Sequence, residues 1–344
     1  MNLKELSRLL GLSQTTVSRA LNGYPEVSEA TRQKVVAAAK KHNYAPSSRA
    51  RSLATGRSMA IGHVIPISSK HEMVNPIFAD FIAGAGETYS RSGYDMLLSV
   101  VNDEDEEDAY REMATKGSVD GLIVHGPREN DPRIALLMEI GLPFVVHGRA
   151  GNDSRPYSWV DINNGHSFRR ATDFLLDLGH QRIALINGIE SMDFARRRRL
   201  GYEAALRERQ VTPRADHMAS QEMTEQNAYH TARDMLALPE PPTAFLVSSY
   251  ISAIGVRRAV ALSGLKIGQD VSVITHDDDL SYLRNGDDIP MFTATKSSVR
   301  AAGRRCAEIV LDHIANPDLP PVQELWETDL TLGLSTGPAA KELT

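Results

Sequence analysis

The chain has 344 residues, 42% of them hydrophobic, which suffices for a small domain followed by one or two larger ones. Its single cysteine, Cys306, excludes a disulfide within the chain and favours a reducing compartment. No apolar run approaches the length of a membrane span, and no N-terminal stretch resembles a signal peptide. The sequence therefore predicts a cytoplasmic, nucleoid-associated protein without a membrane partner.

Charge is distributed unevenly along the chain, whose formal net charge is −6. Residues 1–57 hold ten Lys and Arg against three Asp and Glu, a balance of +7, which leaves −13 for residues 58–344. A basic segment joined to an acidic body attracts phosphate at one end of the molecule. This distribution favours a nucleic-acid contact by the N-terminal segment.

A helix-turn-helix pattern occupies the first 23 residues. Four leucines between Leu3 and Leu10 recur at helical spacing, and Gly11 tolerates a left-handed turn. Ser13 can cap a second helix, whose buried side is predicted to contain Val17 and Leu21. The predicted DNA contacts of this helix are Ser13, Gln14, Thr15, Ser18, Arg19 and Asn22.

A third helix is predicted to begin after the cap residue Ser28 and to end near Lys41. Its expected apolar side, which would close a three-helix core, consists of Val35, Val36, Ala38 and Ala39.

The segment after Pro46 carries the resemblance to a known family. Tyr44-Ala45-Pro46 is followed by a short Arg/Ala/Leu segment and then, from Met59, by a strand pattern. This order, together with Thr16-Val-Ser-Arg-Ala-Leu-Asn-Gly, resembles the LacI/GalR family of bacterial transcription regulators over essentially the whole chain. Residues 47–55 are too short for a stable isolated helix, so we expect them to be disordered without DNA. The resemblance implies a minor-groove wedge at Leu53, with Ala50 and Ala54 also at the DNA.

From Met59 onward, short apolar runs alternate with helical patterns, which predicts parallel sheets covered by helices. The expected strands are 60–67, 95–101, 119–125, 143–147, 182–187, 243–248, 271–276 and 330–334. The resemblance implies an all-α headpiece and an α/β core of two parallel-sheet subdomains, as in periplasmic binding proteins. The predicted domains are a headpiece 1–46, a hinge 47–58, a first core subdomain 59–161 and 291–323, and a second core subdomain 162–290 and 324–338.

The predicted ligand site lies in the crevice at the carboxyl ends of the strands. The resemblance places Arg198 there, from Ala195-Arg-Arg-Arg-Arg-Leu-Gly, and Asp277, which follows the last strand of the second subdomain. The further candidate residues are Phe78, His147, Met223, Ser249 and Tyr250. With Tyr250, Met223 and His147, the predicted site has more stacking surface and less negative charge than is expected of a site for a free monosaccharide.

The sequence argues against an enzyme, because it has no Gly-x-Ser-x-Gly elbow, no His-Glu-x-x-His motif and no Walker loop. A metal site at His276-Asp277-Asp278-Asp279 is disfavoured, since no second ligand cluster lies at metal spacing. The expected function is a homodimeric repressor of a carbohydrate operon, released from a pseudo-palindromic operator by a sugar-type effector, without cofactor or metal. Regulators of α-glucoside or disaccharide uptake are the expected relatives. A purine-type or phosphorylated corepressor and, more distantly, a transporter's solute-binding protein are the alternatives.

Overall fold

The computed structural model describes residues 1–21, 23–44, 56–66, 75–151 and 155–339. The predicted DNA contacts Asn22, Ala50, Leu53 and Ala54, and most of the hinge, lie outside these residues. Contacts divide the chain into two compact units: Met1–Met59 with Gly117–Val119, and Ala60–Lys116 with Asp120–Thr344. None of the helices in the described ranges has the length and apolar character needed to cross a membrane.

The described part of the N-terminal unit contains the helices α1 (Leu3–Leu10), α2 (Gln14–Leu21) and α3 (Glu29–Lys41). The predicted caps form: Ser13 Oγ accepts from the Thr16 amide at 3.0 Å, and Ser28 Oγ accepts from the Thr31 amide at 3.3 Å. The helices bury Leu6, Val17, Ala20, Val27, Val35 and Ala39. Val36 was expected in this core, but it is 48% exposed because Val35 and Ala39, one turn apart, occupy the inner face.

The first core subdomain contains a six-stranded sheet in the order β11-β5-β4-β3-β1-β2. Its strands are β1 (Ala60–Pro66), β2 (Asp95–Val101), β3 (Gly121–His125), β4 (Phe144–His147), β5 (Ser158–Ile162) and β11 (Gln323–Trp326). Its helices are α4 (Pro76–Arg91), α5 (Glu106–Lys116), α6 (Pro132–Ile140) and α11 (Val299–Ala315). All the strand pairs in this sheet are parallel, as the alternation of strands and helices predicts.

The second core subdomain repeats this architecture with the strand order β12-β10-β9-β8-β6-β7. Its strands are β6 (Ile183–Asn187), β7 (Met218–Ser220), β8 (Ala244–Val247), β9 (Ser272–Asp277), β10 (Thr293–Lys296) and β12 (Asp329–Thr331). Its helices are α7 (Asn164–Asp177), α8 (Asp193–Glu208), α9 (Glu225–Leu236) and α10 (Tyr250–Leu262). The predicted strand 330–334 is the short β12, which pairs antiparallel with β10.

The chain passes between the two sheets three times. It crosses between β5 and α7 at Asn163, between β10 and α11 at 297–298, and between β11 and β12 at 327–328. The boundary expected at residue 291 is wrong, because Thr293–Lys296 pairs with β9 in the second sheet. The boundary at 323 is also displaced, since Gln323–Trp326 pairs with β5 in the first sheet.

Two glycines allow the helices that carry the site to approach closely. A Cβ atom on Gly303 of α11 would lie 2.1 Å from the Phe81 carbonyl oxygen of α4. A Cβ atom on Gly201 of α8 would lie 2.1 Å from the Gly165 carbonyl oxygen of α7. Each helix pair therefore packs backbone against backbone, and this fixes the positions of α4 and α8.

Candidate functional site

A cavity of about 600 Å³ lies between the two subdomains of the core. Part of its lining comes from residues at the carboxyl ends of strands in both sheets, where α/β proteins bind ligands. From the first sheet these are Pro66, His125, His147, Ile162 and Trp326, and from the second Gly188, Gln221, Ser248, Asp278 and Ser297. The volume falls within the range of small-molecule sites.

Hydrogen bonds between the subdomains close two edges of the cavity. On one edge, Asp80 of α4 accepts from the amide and the hydroxyl of Ser281, each at 2.6 Å. On the other, the Asp193 amide donates to the Pro127 carbonyl at 2.9 Å, and Arg197 Nη2 donates to the Gly151 carbonyl at 3.2 Å. These bonds join the two subdomains directly, and both subdomains face one shared cavity.

Arg198 is the central polar residue of the second-subdomain wall, which also contains Ser248 and Asp278. The Arg198 side chain is buried; its Nε donates to Asn164 Oδ1 at 2.7 Å and its Nη1 to the Ser248 carbonyl at 2.6 Å. The guanidinium also lies 4.9 Å and 5.0 Å from the ring centres of Phe168 and Phe194. Among the described residues no partner takes Nη2, so this group can donate to a ligand in the cavity.

Burial determines the electrostatics of this wall. Desolvation lowers the pKa of Arg198 to about 10, while the charges of Asp278 and Asp161 act in the opposite direction. Burial also raises the pKa of Asp161 to about 6, although Arg149 donates to this carboxylate at 2.9 Å. Asn164 joins the two groups, because it donates to Asp161 at 3.2 Å and accepts from Arg198. A polar chain therefore runs from the crossing at Asn163 to the cavity.

The first-subdomain wall, formed by Phe78, Phe81, His125 and His147, is aromatic. Phe81 lies 4.4 Å from the His147 ring and 4.9 Å from the His125 ring, and Phe78 lies 5.1 Å from His125, measured between ring centres. His125 and His147 are paired across β3 and β4, so strand register brings them side by side at the sheet edge. This wall offers flat surfaces for stacking.

Behind this wall, a buried hydrogen-bond chain fixes the histidines. Tyr89 Oη lies 3.3 Å from His63 Nε2, and His63 Nδ1 lies 2.9 Å from His125 Nε2. Desolvation lowers the pKa of His63 to about 3 and that of His147 to about 4, and it also lowers the pKa of His125. All three rings are therefore neutral at pH 7, and each can donate through one nitrogen and accept through the other.

The structure brings four of the seven predicted ligand residues to the cavity: Phe78, His147, Arg198 and Met223. Ser249, Tyr250 and Asp277 are not among the lining residues of the described chain. Ser249 caps α10 by accepting from the Ser252 amide at 3.2 Å. Tyr250 donates to the Arg284 carbonyl at 2.9 Å, and Asp277 accepts from the Asp279 amide at 2.9 Å. Their placement in the site is thus corrected, because each has a structural partner elsewhere.

Ser248 and Asp278 replace Ser249 and Asp277 as lining residues, which is a shift of one position in each segment. Successive side chains at a strand end point in opposite directions, so a one-residue error exchanges a cavity residue for a buried neighbour. The sequence interpretation also missed Glu106, Arg133 and Asn164. Glu106 and Arg133 lie 27 positions apart along the chain, and no local motif links them.

His276 and the aspartates after it do not form a metal site with other described residues. His276 Nδ1 lies 3.0 Å from Thr295 Oγ1, and its Nε2 lies 3.2 Å from Ser297 Oγ. Within the ranges that the structure describes, no group of three or more His, Cys, Asp or Glu side chains is placed to hold a metal ion. Two hydroxyl groups and the Asp278 carboxylate, which lies 3.4 Å from Nε2, thus account for both nitrogens of this histidine.

The second helix of the headpiece, α2, presents its predicted DNA contacts to solvent. Gln14, Thr15 and Arg19 are exposed, as is Ser13 before the helix, whereas Ser18 is half-buried. Val17 is buried on the opposite side. The exposed face thus consists of short polar side chains and one arginine, which is the composition suited to base edges in a major groove.

Comparison with known proteins extends over both units. Residues 2–47 match the family model "Bacterial regulatory proteins, lacI family", and residues 172–336 match a "Periplasmic binding protein-like domain". The HTH-type transcriptional regulator AglR of Rhizobium meliloti (strain 1021) is 43% identical over 339 residues, which cover 98% of this chain and 95% of AglR.

Two solved structures support the same assignment. The lac repressor dimer bound to operator and the anti-inducer ONPF superposes with a TM-score of 0.83 at 25% identity, covering 98% of this chain and 99% of that chain. The complex of the transcriptional regulator CelR with cellobiose superposes with a TM-score of 0.71 at 27% identity, covering 97% and 99%. The predicted family and fold class are confirmed: the chain belongs to the lacI family of bacterial regulatory proteins and is a transcription regulator.

Proposed function

We propose that this protein is a homodimeric repressor of a carbohydrate operon, and that a neutral disaccharide in the interdomain cavity releases it from its operator. The cavity between the subdomains, with donors on one wall and aromatic rings on the other, carries this proposal. Sugar hydroxyls form hydrogen bonds with such donors, and the apolar faces of sugar rings stack on aromatic side chains.

Two solved relatives support the dimeric, operator-binding and sugar-binding parts of the proposal. One is a repressor dimer on its operator, and the other holds cellobiose, which has two sugar rings. A dimer presents two headpieces to two half-sites, which accounts for a pseudo-palindromic operator. The exposed Gln14, Thr15 and Arg19 would then read base edges, while the basic headpiece supplies the contacts to phosphate.

The mechanism follows from the contacts between the two subdomains around the cavity. A ligand that touches both walls favours the closed form by its difference in affinity for the closed and open forms. Closure fixes the Asp80–Ser281 contact and the contacts of Asp193 and Arg197 with the first subdomain. Effector binding would therefore change the relative orientation of the two subdomains, and in a dimer this change alters the separation of the headpieces.

The test uses the full-length protein and an operator obtained by selection from random double-stranded DNA. Cellobiose, maltose, trehalose and sucrose are added to the complex in a gel-shift titration at fixed salt, beside hypoxanthine and guanine. Release by a disaccharide is expected. Tighter binding with a purine would support the corepressor alternative, and failure to select any DNA sequence would overturn the proposal.

A further inference from the structure

A buried charge cluster borders the first-subdomain side of the cavity. We call Glu106, Asp131 and Arg133 the acidic pole. Arg133 Nη1 donates to Glu106 Oε1 at 2.8 Å, and Arg133 Nη2 donates to Asp131 Oδ2 at 2.6 Å. All three residues are less than 9% exposed. Glu106 and Arg133 line the cavity, whereas Asp131 lies behind them as the cap of α6.

The hydrogen bonds of this cluster leave one acceptor available. Arg133 also donates through Nε to Asp131 at 2.9 Å and through Nη2 to the His125 carbonyl at 3.1 Å. Asp131 additionally accepts from the amides of Arg128 and Arg133, each at 3.0 Å. Glu106 Oε2 has no hydrogen-bond partner among the described residues. The free acceptor of the pole is therefore a carboxylate oxygen on a residue that lines the cavity.

The pole carries an excess negative charge, because two carboxylates face one guanidinium. Arg128 also lines the cavity, but its side chain is exposed. A second unsatisfied group lies beside the pole. The Tyr110 hydroxyl is buried without a hydrogen-bond partner among the described residues, and burial raises its pKa. A buried carboxylate with an open lone pair recruits a hydroxyl donor and repels an anion.

We propose that Glu106 binds a hydroxyl group on the second ring of the effector. One ring would then face Arg198 and Asp278 on the second-subdomain wall, while the other faces the acidic pole. The inference rests on the proposed function, and it gives a physical reason why the effector is neutral and has a second ring. Phosphorylated sugars and sugar acids with the charge on that ring are disfavoured, since the charge would face Glu106.

The experiment measures disaccharide binding by calorimetry to the parent, E106Q and E107Q proteins. The amide in E106Q preserves the shape and the acceptor for Arg133, but it removes the charge-assisted bond to the ligand. We expect the affinity for the disaccharide that the parent binds to fall roughly tenfold in E106Q. Glu107 is the matched control, because it neighbours Glu106 on α5 but is exposed. E107Q should bind as the parent does.

Measurements of thermal stability and operator binding distinguish a misfolded variant from one that has lost only its contact with the ligand. Thermal unfolding and operator gel shifts test whether E106Q is folded. If its Tm falls by more than a few degrees, E106D is measured instead, because it keeps the charge beside Arg133 and withdraws the carboxylate from the cavity. Equal disaccharide affinity in the parent and the folded Glu106 variant would overturn this inference and leave the proposed function intact. If no neutral disaccharide of the panel binds the parent, the inference and the proposed effector class both fall.

Discussion

The two walls of the cavity differ in how they accommodate buried polar side chains. On and behind the first-subdomain wall, burial keeps three histidines neutral, and His63 is hydrogen-bonded to His125 and to Tyr89. On the second-subdomain wall, one buried cation is retained, held by a neutral side chain, a backbone carbonyl and two aromatic rings. The first wall therefore supplies shape and stacking surface, while the second supplies a charged donor.

This difference gives the walls different sensitivities. Protonation of its buried histidines should disrupt the first wall, because burial disfavours the charged imidazolium. A change in the shape of the Arg198 side chain should disrupt the second wall, because the acceptors of its guanidinium are buried and would lose their donor. Perturbing one wall at a time should therefore separate acid sensitivity from dependence on side-chain shape.

The largest effect is expected from Arg198→Lys on the second wall. An ammonium cannot bridge Asn164 Oδ1 and the Ser248 carbonyl while stacking between two phenylalanines. Losing one or both bonds should cost about 2–4 kcal/mol of unfolding free energy, and effector affinity should fall at least tenfold. Urea unfolding and calorimetry measure the two effects.

Arg199→Lys is the control for this substitution. Arg199 is the next residue of α8, but its side chain is 41% exposed and pairs with Glu190 and Glu203. Its replacement should change stability by no more than about 0.5 kcal/mol. Similar losses in the two variants would show that the buried geometry of Arg198 has no special role.

The sequence predicts the architecture of this protein well, for a physical reason. Helix caps such as Ser13 and Ser28 and the alternation of strands with helices are local patterns, and each recurs in the structure. The crossings between subdomains are harder to place, because β10 and β11 are four residues each and neither has a strong pattern of its own. Their assignment depends on pairing with β9 and β5, which sequence periodicity does not report.

The site is predicted less completely than the fold. Arg198, which the family resemblance placed in the site, lies on a helix, as does the candidate Phe78. Ser249 and Asp277 lie at strand ends, where a shift of one residue reverses the side chain. Glu106 and Arg133 belong to different helices and meet only in the folded chain. Contacts of this kind require the tertiary structure.

The acid sensitivity of the first wall gives the second prediction, which concerns His63. Its folded-state pKa of about 3 lies below the ordinary value of 6.5, so its contribution to stability is present above pH 6.5 and is lost as the pH falls toward 3. This histidine should therefore lower the free energy of unfolding at pH 5 by about 2 kcal/mol relative to pH 8. His63→Gln should show a smaller decrease in stability over this interval, by about that amount.

The measurement is urea unfolding at pH 8 and pH 5, followed by tryptophan fluorescence. Trp159 and Trp326 lie on β5 and β11, so the signal reports the first subdomain. His147 and His125 should contribute in the same direction, because burial lowers their pKa values as well. His230→Gln, at an exposed position, is the control and should follow the parent. An unchanged pH difference in His63→Gln would contradict the neutral-histidine account of this wall.

The smallest effect tests the position of the carboxylate on the second wall. Asp278 lines the cavity, whereas Asp277 accepts from the Asp279 amide and does not. Asp278→Asn replaces a charge-assisted bond to the effector with a neutral one, so affinity should fall about tenfold. Asp277→Asn keeps an oxygen for the Asp279 amide and should change effector affinity less than twofold. Calorimetry with the disaccharide that the parent binds compares the two proteins directly. A tenfold loss in Asp277→Asn with none in Asp278→Asn would return Asp277 to the site and show that the strand end is displaced by one residue.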